Sequence, residues 1–142
     1  MNTHVRIVVA LLLGALVFAV TTVAVTAGFE PGIEFSLLIG FPVGVSAGLT
    51  ALFAGYVLLW YRDLAAAGTV SERAVRLRLA ALATVADLFV VTAAGVTIYT
   101  LADGSTGIGL LVAGLPVTLP LAAVVGYLTA GRRRRGQGWF RT

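Results

Sequence analysis

Apolar positions in this chain fall into four long runs, at 5–27, 35–61, 77–102 and 108–130. Each exceeds the ~20 residues that cross a ~30 Å hydrocarbon core as an α-helix. In lipid every backbone N–H and C=O must find a partner within the protein. Helices satisfy that locally, and the ~10-residue alternation of a membrane β-barrel is not present. The pattern therefore predicts an all-α fold, a four-helix transmembrane bundle. The helices are expected at about 5–27, 35–61, 71–102 and 108–130, in one transmembrane domain over 1–142 with a basic tail at 131–142.

Polar residues mark the linkers. Gly28, Glu30, Pro31, Gly32 and Glu34 join the first two runs, and Asp103, Gly104, Ser105, Thr106 and Gly107 join the last two. The central linker is longer and charged. Within it Thr69-Val70-Ser71-Glu72 has the form of a capping box, in which Thr69 would cap the third helix and Glu72 would reach back. Glu72 and Arg76 then stand four apart on an exposed first turn. The first run is longer than the 7–15 apolar residues of a signal peptide, although Ala27 could end a cleavage site, so a membrane span is the expectation.

Arginine sets the expected topology. Arg6 precedes the first run, Arg62, Arg73, Arg76 and Arg78 lie between the second and third, and Arg132–Arg135 and Arg141 follow the fourth. The other two linkers hold acids and no basic residue. The positive-inside rule thus puts both termini on the cytoplasmic side of a multi-pass cell-membrane protein. Trp60, Tyr61 and Tyr127 suit that interface, and Phe29, Phe35 and Tyr99 the opposite one.

Composition agrees with the pattern. Of 142 residues 59% are hydrophobic and 11% charged, against about 25% charged in soluble domains. The mean hydropathy is +1.01. There is no Cys, and the one His is His4, which removes thiolate and most metal or nucleophilic chemistry. No Ser/His/acid set, HExxH or phosphate loop occurs, so neither an enzyme nor a bound cofactor or metal is expected. All ten basic residues are Arg. With the Ala/Val/Gly-rich usage, that suggests a GC-rich prokaryotic genome.

The two halves resemble each other. Displaced by seventy-one positions, Ala10, Leu11, Ala15, Phe18, Val20, Thr21, Val25 and Thr26 meet identical residues, and Gly55-Tyr56 meets Gly126-Tyr127. A small gap also aligns Phe41-Pro42-Val43 with Leu115-Pro116-Val117. Two tandem helical hairpins in parallel orientation would result. Chance matches within the narrow membrane alphabet are the alternative.

Four features carry candidate function. Gly40, Gly44 and Gly48 recur every four residues, a face that lets another helix backbone approach closely, either within the chain or in a second copy. Ala122, Gly126 and Ala130 form a weaker analogue. Pro42 falls near a helix start, where a first-turn proline costs little, whereas Pro116 and Pro120 lie deeper and are expected to kink the fourth helix.

Asp87 lies roughly 15 Å inside the third helix, near mid-bilayer. An acid there costs about 2.5–3.5 kcal/mol on insertion scales, and no Arg or Lys shares its depth. Ser46, Thr84 and Thr118 fall at similar depth and could cluster around it. Asp87 is then either a structural hydrogen-bond donor between helices or a proton- or cation-binding group. Finally, Arg132, Arg133, Arg134, Arg135 and Trp139 suit contact with anionic lipid head groups of the inner leaflet, in preference to nucleic acid.

The reading these features favour is an accessory or scaffold subunit acting by helix–helix association, as a homo-oligomer or with another membrane protein. The alternative is a small proton- or cation-coupled transporter or channel using Asp87.

Overall fold

The structure is a computed structural model that describes the backbone of residues 2–29 and 36–139, with side chains for 2–28 and 38–132. Helix α1 spans Thr3–Phe29, α2 Ser36–Ala66 and α3 Glu72–Leu101. The fourth span has three parts: α4 (Gly104–Gly109), a π-helical turn (Leu110–Gly114) and α5 (Leu115–Trp139). Four stretches are long and apolar enough to cross a membrane: Thr3–Gly28, Leu38–Ala66, Glu72–Leu101 and Gly104–Arg132. The fold fits a multi-pass membrane protein of four helices. The expected turn around Glu30 and Glu34, with Phe35, lies outside the described residues.

Helix ends differ from the expected ones where polar residues, not apolar ones, decide them. α2 does not stop at Tyr61 but continues to Ala66, because Leu64, Ala65 and Ala66 are good helix formers and need no lipid around them. It ends at Gly68, the described residue with positive φ, at 69°. There Gly68 N–H donates to the Ala65 carbonyl at 3.2 Å and Thr69 N–H to the Leu64 carbonyl at 3.0 Å. This pair of bonds satisfies carbonyls that the helix end leaves open.

The capping box is also displaced. The cap of α3 is Ser71, whose hydroxyl accepts from Ala74 N–H at 3.2 Å. Thr69 turns back to α2, donating to the Leu64 carbonyl at 3.5 Å, and Glu72 pairs with Arg76 at 3.1 Å. The chain's reversal at Gly68 commits Thr69 to the preceding helix, which leaves the next hydroxyl to start the new one.

The fourth span begins at Gly104, four residues earlier than expected. Asp103 caps it by accepting from Ser105 N–H at 3.1 Å. Its π turn ends at Gly114, two residues before Pro116. Proline brings no N–H to the helical ladder, and a widened turn takes up the mismatch. Pro42 stands in the second turn of α2, inside the helix and not in its first turn.

α1 and α2 form one antiparallel hairpin, and α3 with α5 forms the second; α2 and α3 join them. α1 makes its extensive contact with α2 alone. One cluster packs Ile39 and Val43 of α2 against Leu111, Leu115 and Leu119, with Leu88 and Val91 of α3 beside them. A second packs Ala54 and Val57 against Ala81.

All four spans bring their arginines to one end. There Arg6 at the start of α1 lies 5.7 Å over the Tyr56 ring and 3.7 Å from the Asp63 carboxylate. Arg76 lies 5.4 Å over Tyr127, and Arg78 lies 4.7 Å over Tyr61. Each stacked guanidinium keeps its charge at the edge of the apolar region while its stem covers the neighbouring helix.

Candidate functional site

The glycine face of α2 is occupied by α1. A Cβ at Gly40 would overlap the Thr26 hydroxyl and one at Gly44 the Thr22 hydroxyl. At Gly48 it would stand 2.8 Å from the Phe18 Cβ and 2.9 Å from the Gly14 carbonyl. Gly14 answers in kind, since a Cβ there would meet the Gly48 carbonyl at 3.0 Å. The backbones thus approach as closely as the absence of side chains permits. Phe18 and Phe41 close the contact edge to face, 5.7 Å apart. Within the chain's own fold this face is taken up by α1, which accounts for the spacing of Gly40, Gly44 and Gly48 without a second copy. The Thr22 and Thr26 hydroxyl oxygens are buried there without a hydrogen-bond partner among the described residues.

The second hairpin uses small residues at two places. A Cβ at Gly126 would stand 2.9 Å from the Ala83 Cβ and 3.0 Å from the Ala80 Cα. Near the other end one at Gly107 would meet the Gly95 carbonyl at 2.6 Å. Gly95 and Gly107 were not legible as a pair, because they lie on different helices and repeat in neither.

A cavity of about 570 Å³ lies between α2 and α5, with Thr84 of α3 contributing to its wall. Its lining is dominated by Phe41, Leu49, Phe53 and Leu119 and the three intramembrane prolines, Pro42, Pro116 and Pro120. Ser46, Thr50 and Thr84 also line it, all buried. Two of their hydroxyls are turned onto their own helices: Thr50 donates to the Ser46 carbonyl at 2.8 Å, and Thr84 to the Ala81 carbonyl at 2.7 Å.

The four polar residues expected around mid-bilayer therefore do not form one cluster. Ser46 and Thr84 belong to the cavity; Asp87 and Thr118 are absent from its lining. Asp87 belongs instead to the α3–α5 seam. One turn before it Ala83 packs on Gly126, and one turn after it Val91 lies near Gly114. In an antiparallel pair that register sets Asp87 level with Pro120, two residues along α5 from Thr118. The Asp87 Oδ2 and the Thr118 Oγ1 are both buried, and neither has a hydrogen-bond partner among the described residues.

At the other end of the chain Arg132 is exposed, and the backbone stays helical to Trp139. The side chains of Arg133, Arg134, Arg135 and Trp139 lie outside the described residues. Among the described residues no three His, Cys, Asp or Glu side chains gather where they could hold a metal ion.

Neither curated proteins nor solved structures give a match to this chain. One family does match, over residues 3–121, which takes in α1 to α3 and the fourth span as far as the cavity prolines. The chain belongs to the DUF8147 family, described as a domain of unknown function.

Proposed function

We propose that this protein is a membrane-embedded accessory or scaffold subunit that acts by associating with other membrane helices, a second copy included. The observation that carries this reading is the character of its intramembrane space. A path for ions or polar solutes needs polar groups aimed into it. Here the cavity is apolar, Thr50 and Thr84 donate to their own helices, and Asp87 lies outside the lining.

The arginine end faces the cytoplasm of the cell, as the clustering of Arg6, Arg62, Arg73, Arg76, Arg78 and Arg132 at that end supports. Its tail rests on anionic lipid. The two hairpins descend from one duplicated hairpin. In support, Arg6 over Tyr56 and Arg76 over Tyr127 are the same contact, a first-helix arginine on a second-helix tyrosine. Gly55 beside Leu13 and Gly126 beside Ala83 repeat with the same displacement.

The chain lacks Cys, so single cysteines report cleanly on each face. Val23→Cys, Leu49→Cys, Phe89→Cys and Val125→Cys sample exposed positions of α1, α2, α3 and α5. In native membranes, oxidative crosslinking is expected to give an adduct of discrete mass from one face and not from the others. Adducts from no face, or equally from all four, would refute association as the function.

A further inference from the structure

We infer that the α3–α5 seam at Asp87 is a binding site for a small monovalent cation, with sodium as the fitting class. This goes beyond the association reading, and sodium binding and crosslinking test the two separately.

The argument starts from two orphan oxygens. A carboxyl oxygen of α3 and a hydroxyl oxygen of α5 are buried within about two residues' rise of each other on two packed helices, and neither is hydrogen-bonded among the described residues. In hydrocarbon an unmet polar group costs several kcal/mol, roughly, so such a pair calls for a third party.

Carboxylate and hydroxyl are both hard oxygen donors. Such a set favours a hard cation over a soft transition metal. Charge decides the valence. Asp87 is the one acid at this depth of any span, and no Arg or Lys accompanies it. One positive charge neutralises the site, whereas a divalent ion would leave a net charge in the bilayer core. A resident ion of this kind would tie α3 to α5 between the Ala83–Gly126 contact and the Leu111–Gly95 contact.

The test is equilibrium binding of radioactive sodium to the full chain in detergent, with choline chloride holding ionic strength constant. The native protein is expected to hold one sodium ion per chain, and Asp87→Asn none. Thr118→Val should weaken binding by about tenfold, the loss of one oxygen contact, and Thr118→Ser should restore it. Ser46→Ala, on the cavity side, should leave it unchanged.

If Asp87→Asn does not fold, the native, Thr118→Val and Thr118→Ser series stands on its own. The proposal is overturned if the native chain takes up no sodium, or if Asp87→Asn or Thr118→Val takes up as much as the native chain. It is overturned equally if a carbodiimide modifies the Asp87 carboxyl at a rate indifferent to sodium, which would mark a permanently protonated acid.

Discussion

Single glycines in this protein serve two different physical ends, and substitution separates them. Gly44 is small because α1 lies against it; a Cβ would overlap the Thr22 hydroxyl and stand 3.1 Å from the Phe18 carbonyl. Gly44→Ala is expected to destabilise the α1–α2 hairpin by about 1–3 kcal/mol, the usual cost of overpacking. Gly68 has open space where its side chain would be, yet its φ of 69° disfavours any L-residue. Gly68→Ala should cost about 1 kcal/mol through the backbone alone. Gly109 has neither constraint, with nothing near its Cβ position, and Gly109→Ala should gain up to about 1 kcal/mol from helix propensity. Unfolding of the three variants in mixed detergent micelles checks the order, and a Gly44→Ala protein as stable as the native one would break the packing argument. The repeat of Gly40, Gly44 and Gly48 was readable as a packing face. Its partner was not, because the complement is Phe18, Thr22 and Thr26, side chains that form no small-residue motif. Asp87 taught a related lesson. Residue counting gives depth along a helix but not the side toward which a residue turns. Ser46, Thr84, Asp87 and Thr118 were expected at one depth, and helical rotation divides them between a cavity and a seam.

At the scale of elements, hydrophobic runs located the spans, and capping chemistry located their ends. Lipid contact stops mattering where the bilayer stops, but a helix continues until its sequence ends it, as α2 does at Gly68 and not at Arg62. The fourth span illustrates the reverse case, starting early because Asp103 provides a cap. The Thr106 hydroxyl donates to the Asp103 carboxylate at 2.7 Å, and the Ser105 hydroxyl donates to it at 3.0 Å. These bonds, that from Thr106 first, hold the Asp103 carboxyl below its ordinary range. Because the folded-state value lies below the unfolded one, the cap's contribution is complete above the unfolded-state pKa. It is lost as pH falls through the lower, folded-state value. Carboxyl-carbon NMR of labelled Asp103 should therefore find a midpoint below that of an unstructured aspartate, and Thr106→Val should raise it. An unshifted midpoint in the native protein would mean that the cap does not form in solution. The proposed tandem likeness of the two halves has support of two kinds. Matching letters suggested it, whereas the paired arginine–tyrosine contacts needed coordinates, since Arg6 and Arg76 are displaced by one position relative to the tyrosines they cover.

For the whole molecule, the decisive property is the apolar lining of the space between the helices. α1 rests on α2, α3 pairs with α5, and α2 meets both α3 and the fourth span, while the space between α2 and α5 is lined mainly by Phe41, Leu49, Phe53 and three prolines. Ions crossing such a space would shed their water and gain little in exchange, a penalty far above thermal energy. A cation held at Asp87 would be in no better position to move, because that seam is packed with Ala83 on Gly126 toward the arginine end and with Leu111 on Gly95 toward the other. Purified protein reconstituted into sealed vesicles should accordingly pass sodium or protons, under an imposed gradient of either, no faster than protein-free vesicles do. Binding without flux separates a resident ion from a transported one. Gradient-driven flux in the native protein that disappears in Asp87→Asn would reverse the assignment. The seam would then have to open during a transport cycle, and the protein would be a small cation-coupled transporter, not a scaffold.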